Sequence, residues 1–174
     1  MIFVTVGTHE QPFDRLIKEI DRLKGTGKID DHIFIQTGYS TYNPHFCKYK
    51  RFIAFEEMVE MIGKARIIIT HGGPGSIMPC IYKGKIPIVV PRQKKFKEVV
   101  DNHQLSFCRK IEEKGKIIVV YEIEELEQKI RNFDDLKNKL WEKLKENGFE
   151  AKVKNFAEAI EAICQEIIRK KKKI

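Results

Sequence analysis

Ile67-Ile68-Ile69-Thr70-His71-Gly72-Gly73-Pro74-Gly75-Ser76 decides how this chain folds. Three β-branched apolar residues run into a glycine-rich turn, and the turn runs into a segment, Ile77 to Lys83, that can be helical. A strand that ends in glycines and restarts as a helix is a physical device for holding phosphate. Glycine lets the backbone approach a ligand and adopt positive φ. The helix N-terminus then offers unpaired N–H groups and a partial positive charge. The same letters also fit an ordinary tight strand-to-helix turn, and the local pattern does not separate the two.

On either side, apolar runs alternate with helical patterns. Strands are predicted at Ile2–Val6, His32–Gln36, Arg51–Ala54, Arg66–Thr70, Pro87–Val90 and Lys116–Val120. They are short, mostly rich in Ile and Val, and nearly continuous in apolar character, as strands buried on both faces of a parallel sheet are. Helices are predicted at Phe13–Lys24, Glu56–Gly63, Ser76–Lys83, Val99–Lys114 and Ile123–Asn132. The first carries Phe13, Leu16, Ile17, Ile20 and Leu23 on one face. This rhythm predicts an α/β fold with a doubly wound parallel sheet. After Val120 only helices follow: one marked by Leu136, Leu140 and Leu144, then an amphipathic helix and basic tail over residues 149–174. No internal repeat or linker divides residues 1–174, so a single domain is expected.

The bulk numbers narrow the class. The chain has 174 residues, 42% hydrophobic and 33% charged, which suits a globular domain with a real core. No apolar run nears the roughly 20 residues needed to cross a bilayer. The N-terminal Met1-Ile2-Phe3-Val4-Thr5-Val6 lacks the basic and apolar regions of a signal peptide. Cys47, Cys80, Cys108 and Cys164 form no metal-like or Cys-X-X-Cys spacing and suit a reduced cytoplasm. The net charge of +8 is concentrated in Arg92, Lys94, Lys95 and Lys97 and in the closing Arg169-Lys170-Lys171-Lys172-Lys173. Charge so localised, without aromatic platforms on a basic face, argues against nucleic acid. It allows weak attraction to anionic lipid.

Ligands of open α/β sheets bind beyond the carboxyl ends of the strands. Four loops there hold suggestive residues. Gly7-Thr8-His9-Glu10-Gln11-Pro12 offers a close turn, a hydroxyl donor and an imidazole that can donate or act as a base. Its structural alternative is helix entry, with Thr8 as cap and Pro12 in the first turn. His71, Gly72, Gly73, Gly75 and Ser76 form the second loop, and Arg92 after Pro91 marks the third. A solvated arginine is the plain alternative for Arg92. Asp101-Asn102-His103-Gln104 is a polar cluster of the kind that pairs with sugar hydroxyls, though capping explains up to two of its members. No Asp-X-Asp, zinc-ligand set, Gly-X-Ser-X-Gly elbow or Gly-X-Gly-X-X-Gly in the first loop occurs.

Three ordered signatures, together spanning roughly residues 1–114, resemble a known family. They are Val4-Thr5-Val6-Gly7-Thr8-His9-Glu10-Gln11-Pro12-Phe13-Asp14-Arg15-Leu16-Ile17, then Thr70–Met78, then Gly84–Arg92 with Val100–Gln104. The resemblance is to the donor-binding subunit of split, two-chain glycosyltransferases of family twenty-eight. Relatives are bacterial exopolysaccharide and capsule subunits, the eukaryotic dolichol-pathway subunit and the C-terminal half of the peptidoglycan N-acetylglucosamine transferase. It implies one Rossmann-like half of a GT-B enzyme, metal-independent and without cofactor. The implied reaction is inverting transfer from a UDP-sugar to a lipid-diphosphate-linked glycan. A membrane-anchored partner would bind the acceptor and hold the chain at the inner face of the cell membrane. An isolated chain could instead cover its cleft by self-association.

By the resemblance, Gly7, Thr8 and the Gly72–Ser76 turn line the diphosphate, Phe55 lies by the uracil, and Asp101, Asn102, His103 and Gln104 meet the sugar. Arg92 contacts phosphate or partner. His9 is the candidate catalytic residue, unless the base lies in the partner. Pro79 stands where one-chain relatives place a ribose-binding glutamate. A non-catalytic, nucleotide-binding regulatory subunit is the competing expectation.

Overall fold

The computed structural model describes residues 1–146. Six parallel strands form one sheet: β1 (Ile2–Thr5), β2 (Ile33–Gln36), β3 (Lys48–Lys50), β4 (Ile67–His71), β5 (Ile88–Val90) and β6 (Ile118–Val119). Their spatial order is β3-β2-β1-β4-β5-β6, the doubly wound order, with the switch point between β1 and β4. The helices are α1 (Asp14–Gly25), α2 (Phe55–Lys64), α3 (Pro74–Tyr82), α4 (His103–Glu113), α5 (Leu126–Arg131) and α6 (Phe133–Glu146).

Strand alternation sorts the core onto two faces. Ile2, Val4, Ile67 and Ile69 pack with Leu16, Ile17, Ile20 and Leu23 of α1, and with Leu126 and Ile130 of α5. On the opposite face, Phe3 and Ile68 meet Ile62 of α2 and Cys80 of α3, and Val89 and Val119 meet Ile77, Ile81 and Cys108. The doubly wound α/β sheet expected from the sequence is therefore present.

The register sets up the site. Gln36 pairs with Thr5, and Thr5 pairs with Thr70, so three polar residues share one row at the carboxyl ends of the central strands.

Several boundaries differ from expectation. The third strand is Lys48–Lys50, not Arg51–Ala54. It is an edge strand, exposed throughout, so it lacks the apolar run that betrays a buried one. Arg51–Ala54 instead leads into α2. The fourth helix starts at His103 rather than Val99, because a single 3-10 turn at Lys94–Phe96 and a loop with Lys97 at φ 59° occupy the preceding residues. Helix α1 starts at Asp14, so Thr8 does not cap it and Pro12 lies outside its first turn. The expected final helix and tail, 149–174, lie outside the described residues.

Candidate functional site

A cleft of about 490 Å³ opens at the switch point. Gly7, Thr8 and His9 from the loop after β1 line it, with His71, Gly75 and Ser76 from the turn after β4, and Gln36, Phe55 and Met58. None of its lining residues is acidic.

Gly7 has φ +74°, a conformation that L side chains rarely adopt. Gln36, missed by the sequence reading, holds it there. Its Oε1 accepts from the Gly7 N–H at 3.1 Å and from Thr5 Oγ1 at 2.6 Å. Its Nε2 donates to the Gly7 carbonyl at 3.0 Å and to the Arg51 carbonyl at 3.1 Å. One buried side chain thus pins both polar groups of Gly7 and ties the ends of β1, β2 and β3 together. The signal available in sequence was only a polar residue ending an Ile-Phe-Ile run.

His71 ends β4, and its ring lies between the two glycine-bearing loops. A Cβ on Gly7 would stand 2.4 Å from its Nε2, and one on Gly73 would stand 2.2 Å from its Cε1. Glycine is required at both positions by this approach. The Gly73 N–H donates to His71 Nδ1 at 3.0 Å, which places the ring proton on Nε2. His71 Nε2 lies 3.0 Å from Ser76 Oγ, which accepts that proton. Burial, then the Arg92 charge, push the His71 pKa down to about 4, so the ring is neutral near pH 7.

The N-terminus of α3 supplies the rest. Pro74 has no N–H, Gly73 donates to His71, and Ser76 and Ile77 both donate to the Gly73 carbonyl. The Gly75 amide remains as a first-turn donor, beside the Ser76 hydroxyl and at the positive end of the helix dipole. An anion in the cleft would meet these donors and no carboxylate.

His9 is exposed, and its Nδ1 accepts the Gln11 N–H at 3.2 Å. That bond occupies Nδ1, which leaves the ring proton on Nε2 as a donor. Thr8 is exposed on the same rim.

Arg92 is buried rather than solvated, and it does not line the cleft. It is 1% exposed, and burial lowers its pKa to about 10. Its guanidinium donates to the carbonyls of Val6 at 3.0 Å, Gln11 at 2.7 Å, Pro12 at 3.2 Å and Glu98 at 3.3 Å, and lies over the Phe13 ring. It shapes the loop that carries His9. Glu98, also buried, pairs with Arg15 at 2.9 Å and accepts the Gln93 N–H.

The polar cluster before α4 splits. Gln104 accepts the Arg92 N–H at 3.0 Å through Oε1 and packs against Gly72. Asp101, Asn102 and His103 are exposed and do not line the cleft. The Asp101 carboxylate accepts the His103 N–H at 2.9 Å, which holds its pKa below the usual carboxylate range, and Asn102 Oδ1 accepts the Lys94 N–H.

Phe55 opens α2, 61% exposed, where the cleft joins a second one of about 490 Å³. Cys47, Cys80 and Cys108 are free and buried, with thiol pKa values pushed up to about 12, chiefly by burial. Among the described residues no group of three His, Cys, Asp or Glu side chains is placed to hold a metal, and no helix is long and apolar enough to cross a membrane.

A doubly wound half-domain with a cleft at its switch point is the architecture of GT-B glycosyltransferase halves. A glycosyltransferase of kitacinnamycin superposes with a TM-score of 0.60 at 14% identity, over 80% of this chain and 37% of that one. The glycosyltransferase SnogD from Streptomyces nogalater gives 0.55 at 18% identity, over 81% and 37%. At such identities the likeness shows the fold alone.

Residues 1–163 match the Glycosyltransferase family 28 C-terminal domain, and the chain belongs to that family. The human UDP-N-acetylglucosamine transferase subunit ALG13 is 30% identical over 125 residues, 67% of this chain and 10% of that protein. The Candida albicans subunit of the same name is 37% identical over 79 residues, 45% of this chain and 25% of that protein. The aligned stretch is thus a tenth and a quarter of those relatives' lengths.

Proposed function

We propose that this chain is the donor-binding half of a two-part glycosyltransferase. It binds a UDP-sugar and, with a membrane-anchored acceptor-binding partner, transfers the sugar with inversion to a lipid-diphosphate-linked glycan, as in exopolysaccharide or capsule synthesis. The observation that carries this reading is the donor set at the switch point: the Gly75 amide, the Ser76 hydroxyl oriented by neutral His71, and the Gly7–His9 loop pinned by Gln36.

In this reading the diphosphate sits over the start of α3 and the nucleoside extends past Phe55. As the glycosidic bond breaks, negative charge grows on the departing diphosphate. Fixed donors aimed at that charge lower the barrier without reorganising. His9, with its proton on Nε2, joins them as a donor, and the base that activates the acceptor lies in the partner. Asp101, Asn102 and His103, exposed at the start of α4, meet the sugar once the partner closes the cleft.

Calorimetric titration of the full chain with UDP and UDP-sugars, followed by a transfer assay with the candidate partner and a lipid-diphosphate glycan, tests this. Binding with transfer supports it. Binding by a folded complex that transfers no common UDP-sugar turns the chain into a regulatory nucleotide-binding subunit, and absence of binding removes the donor-site reading.

A further inference from the structure

The second cleft continues from the first through Phe55 and Gly75, which line both. Its other walls are Val59 of α2, Met78, Pro79 and Tyr82 of α3, and Lys83. A nucleoside attached to a diphosphate over the α3 N-terminus has this space to enter, so the argument rests on the donor-site reading above.

The walls have an unusual composition for holding a ribose. None carries a carboxylate; of the α2 carboxylates outside the lining, Glu57 pairs with Lys50 at 2.8 Å and Glu60 with Lys64. Pro79 lies inside α3 and has no N–H. The Gly75 carbonyl, four residues earlier, therefore loses the donor that an α-helix would give it. Gly75 is exposed at the junction of the two clefts. The helix thus offers one neutral backbone acceptor where a sugar hydroxyl passes, and no charged one.

The difference is large enough to read. A hydroxyl donating to an ionised carboxylate gains about tenfold or more in affinity, whereas one donating to a neutral carbonyl gains only severalfold. A single acceptor also serves a single hydroxyl. A nucleoside that keeps its 3′-hydroxyl satisfies it, and removing the 2′-hydroxyl leaves no buried charge unpaired.

We infer that this site does not discriminate at the ribose 2′ position, and takes 2′-deoxyribonucleoside diphosphates about as well as ribonucleoside diphosphates. Its donor class then extends to 2′-deoxyuridine diphosphate sugars as well as UDP-sugars, with Pro79 as the residue that determines it.

The test is calorimetric titration of the full chain with UDP and with dUDP. The expected result is two dissociation constants within about threefold of each other. UDP binding at least tenfold tighter than dUDP overturns the inference while leaving the donor site intact. Absence of binding by both removes the donor-site reading and this inference with it. A second arm uses Pro79→Glu, which restores a carboxylate and returns an N–H to the Gly75 carbonyl. The expected result is at least a tenfold preference for UDP over dUDP. A folded Pro79→Glu protein with an unchanged ratio shows that position 79 does not meet the ribose, and overturns the assignment.

Discussion

Replacing Gln36 tests whether the Gly7 loop is held by one buried side chain. In Gln36→Leu the volume is nearly kept and four hydrogen bonds go, at 2.6, 3.1, 3.0 and 3.1 Å. Two of the former partners keep another bond: the Gly7 N–H remains 3.3 Å from Thr5 Oγ1, and the Arg51 carbonyl still accepts the Gly38 N–H at 2.8 Å. The Thr5 hydroxyl and the Gly7 carbonyl lose their main partners. Each orphaned buried polar group costs about 1–3 kcal/mol, with the lower end apt where cleft water reaches, so a loss of about 2–3 kcal/mol is expected. Denaturant unfolding of the full chain measures it. UDP affinity should fall about tenfold or more, because Gly7 is no longer held at positive φ.

Gln36→Glu sharpens the same test. A carboxylate there still accepts from Thr5 and Gly7 but faces two carbonyl oxygens with no donor. Its folded pKa is then raised above the unfolded value of about 4.3. Stability linked to a raised pKa is present below the unfolded pKa and lost as pH rises through the folded one. This variant should therefore be closest to wild type in acid and fall below Gln36→Leu at pH 8. A Gln36→Leu protein within about 0.5 kcal/mol of wild type, the range of an ordinary surface substitution, with unchanged UDP affinity would refute the reasoning.

Three further outcomes follow from the same geometry. His71 has a folded pKa of about 4 against 6.5 for a free imidazole, so its contribution is full above pH 6.5 and is lost as pH falls toward 4; the difference amounts to about 3 kcal/mol at most, and pH-dependent unfolding of wild type against His71→Gln should show a steeper decline in wild type over that window. Gly73→Ala drives a methyl to within 2.2 Å of His71, so it should unfold at lower denaturant and weaken UDP binding together, whereas Gly63→Ala, in open space, should do neither. Arg92→Met strips donors from four carbonyls and should cost about 3 kcal/mol or more in unfolding, while Arg92 as a mere phosphate contact predicts lost UDP affinity at unchanged stability; unfolding and titration on one preparation separate the two.

The sheet was legible because buried parallel strands write themselves as apolar runs, and Ile2-Phe3-Val4 and Ile67-Ile68-Ile69 do so plainly. Lys48-Tyr49-Lys50 was not, since an edge strand exposed on both sides needs no apolar residue. The burial of Arg92 was not legible for a related reason. A lone arginine in a sequence looks solvated, and only the fold brings the carbonyls of Val6, Gln11, Pro12 and Glu98 around it.

By itself, the sequence determined the strand-to-helix alternation, the helix that starts in a glycine turn, and the absence of a carboxylate at Pro79. These are local properties, set by side-chain period, backbone freedom and residue chemistry. Tertiary structure alone decided that Gln36 clamps Gly7, that His71 is neutral and hydrogen-bonded to Ser76, and that Asp101–His103 stand apart from Gln104. Those facts depend on strand register and on burial across dozens of residues, which no local pattern of letters encodes.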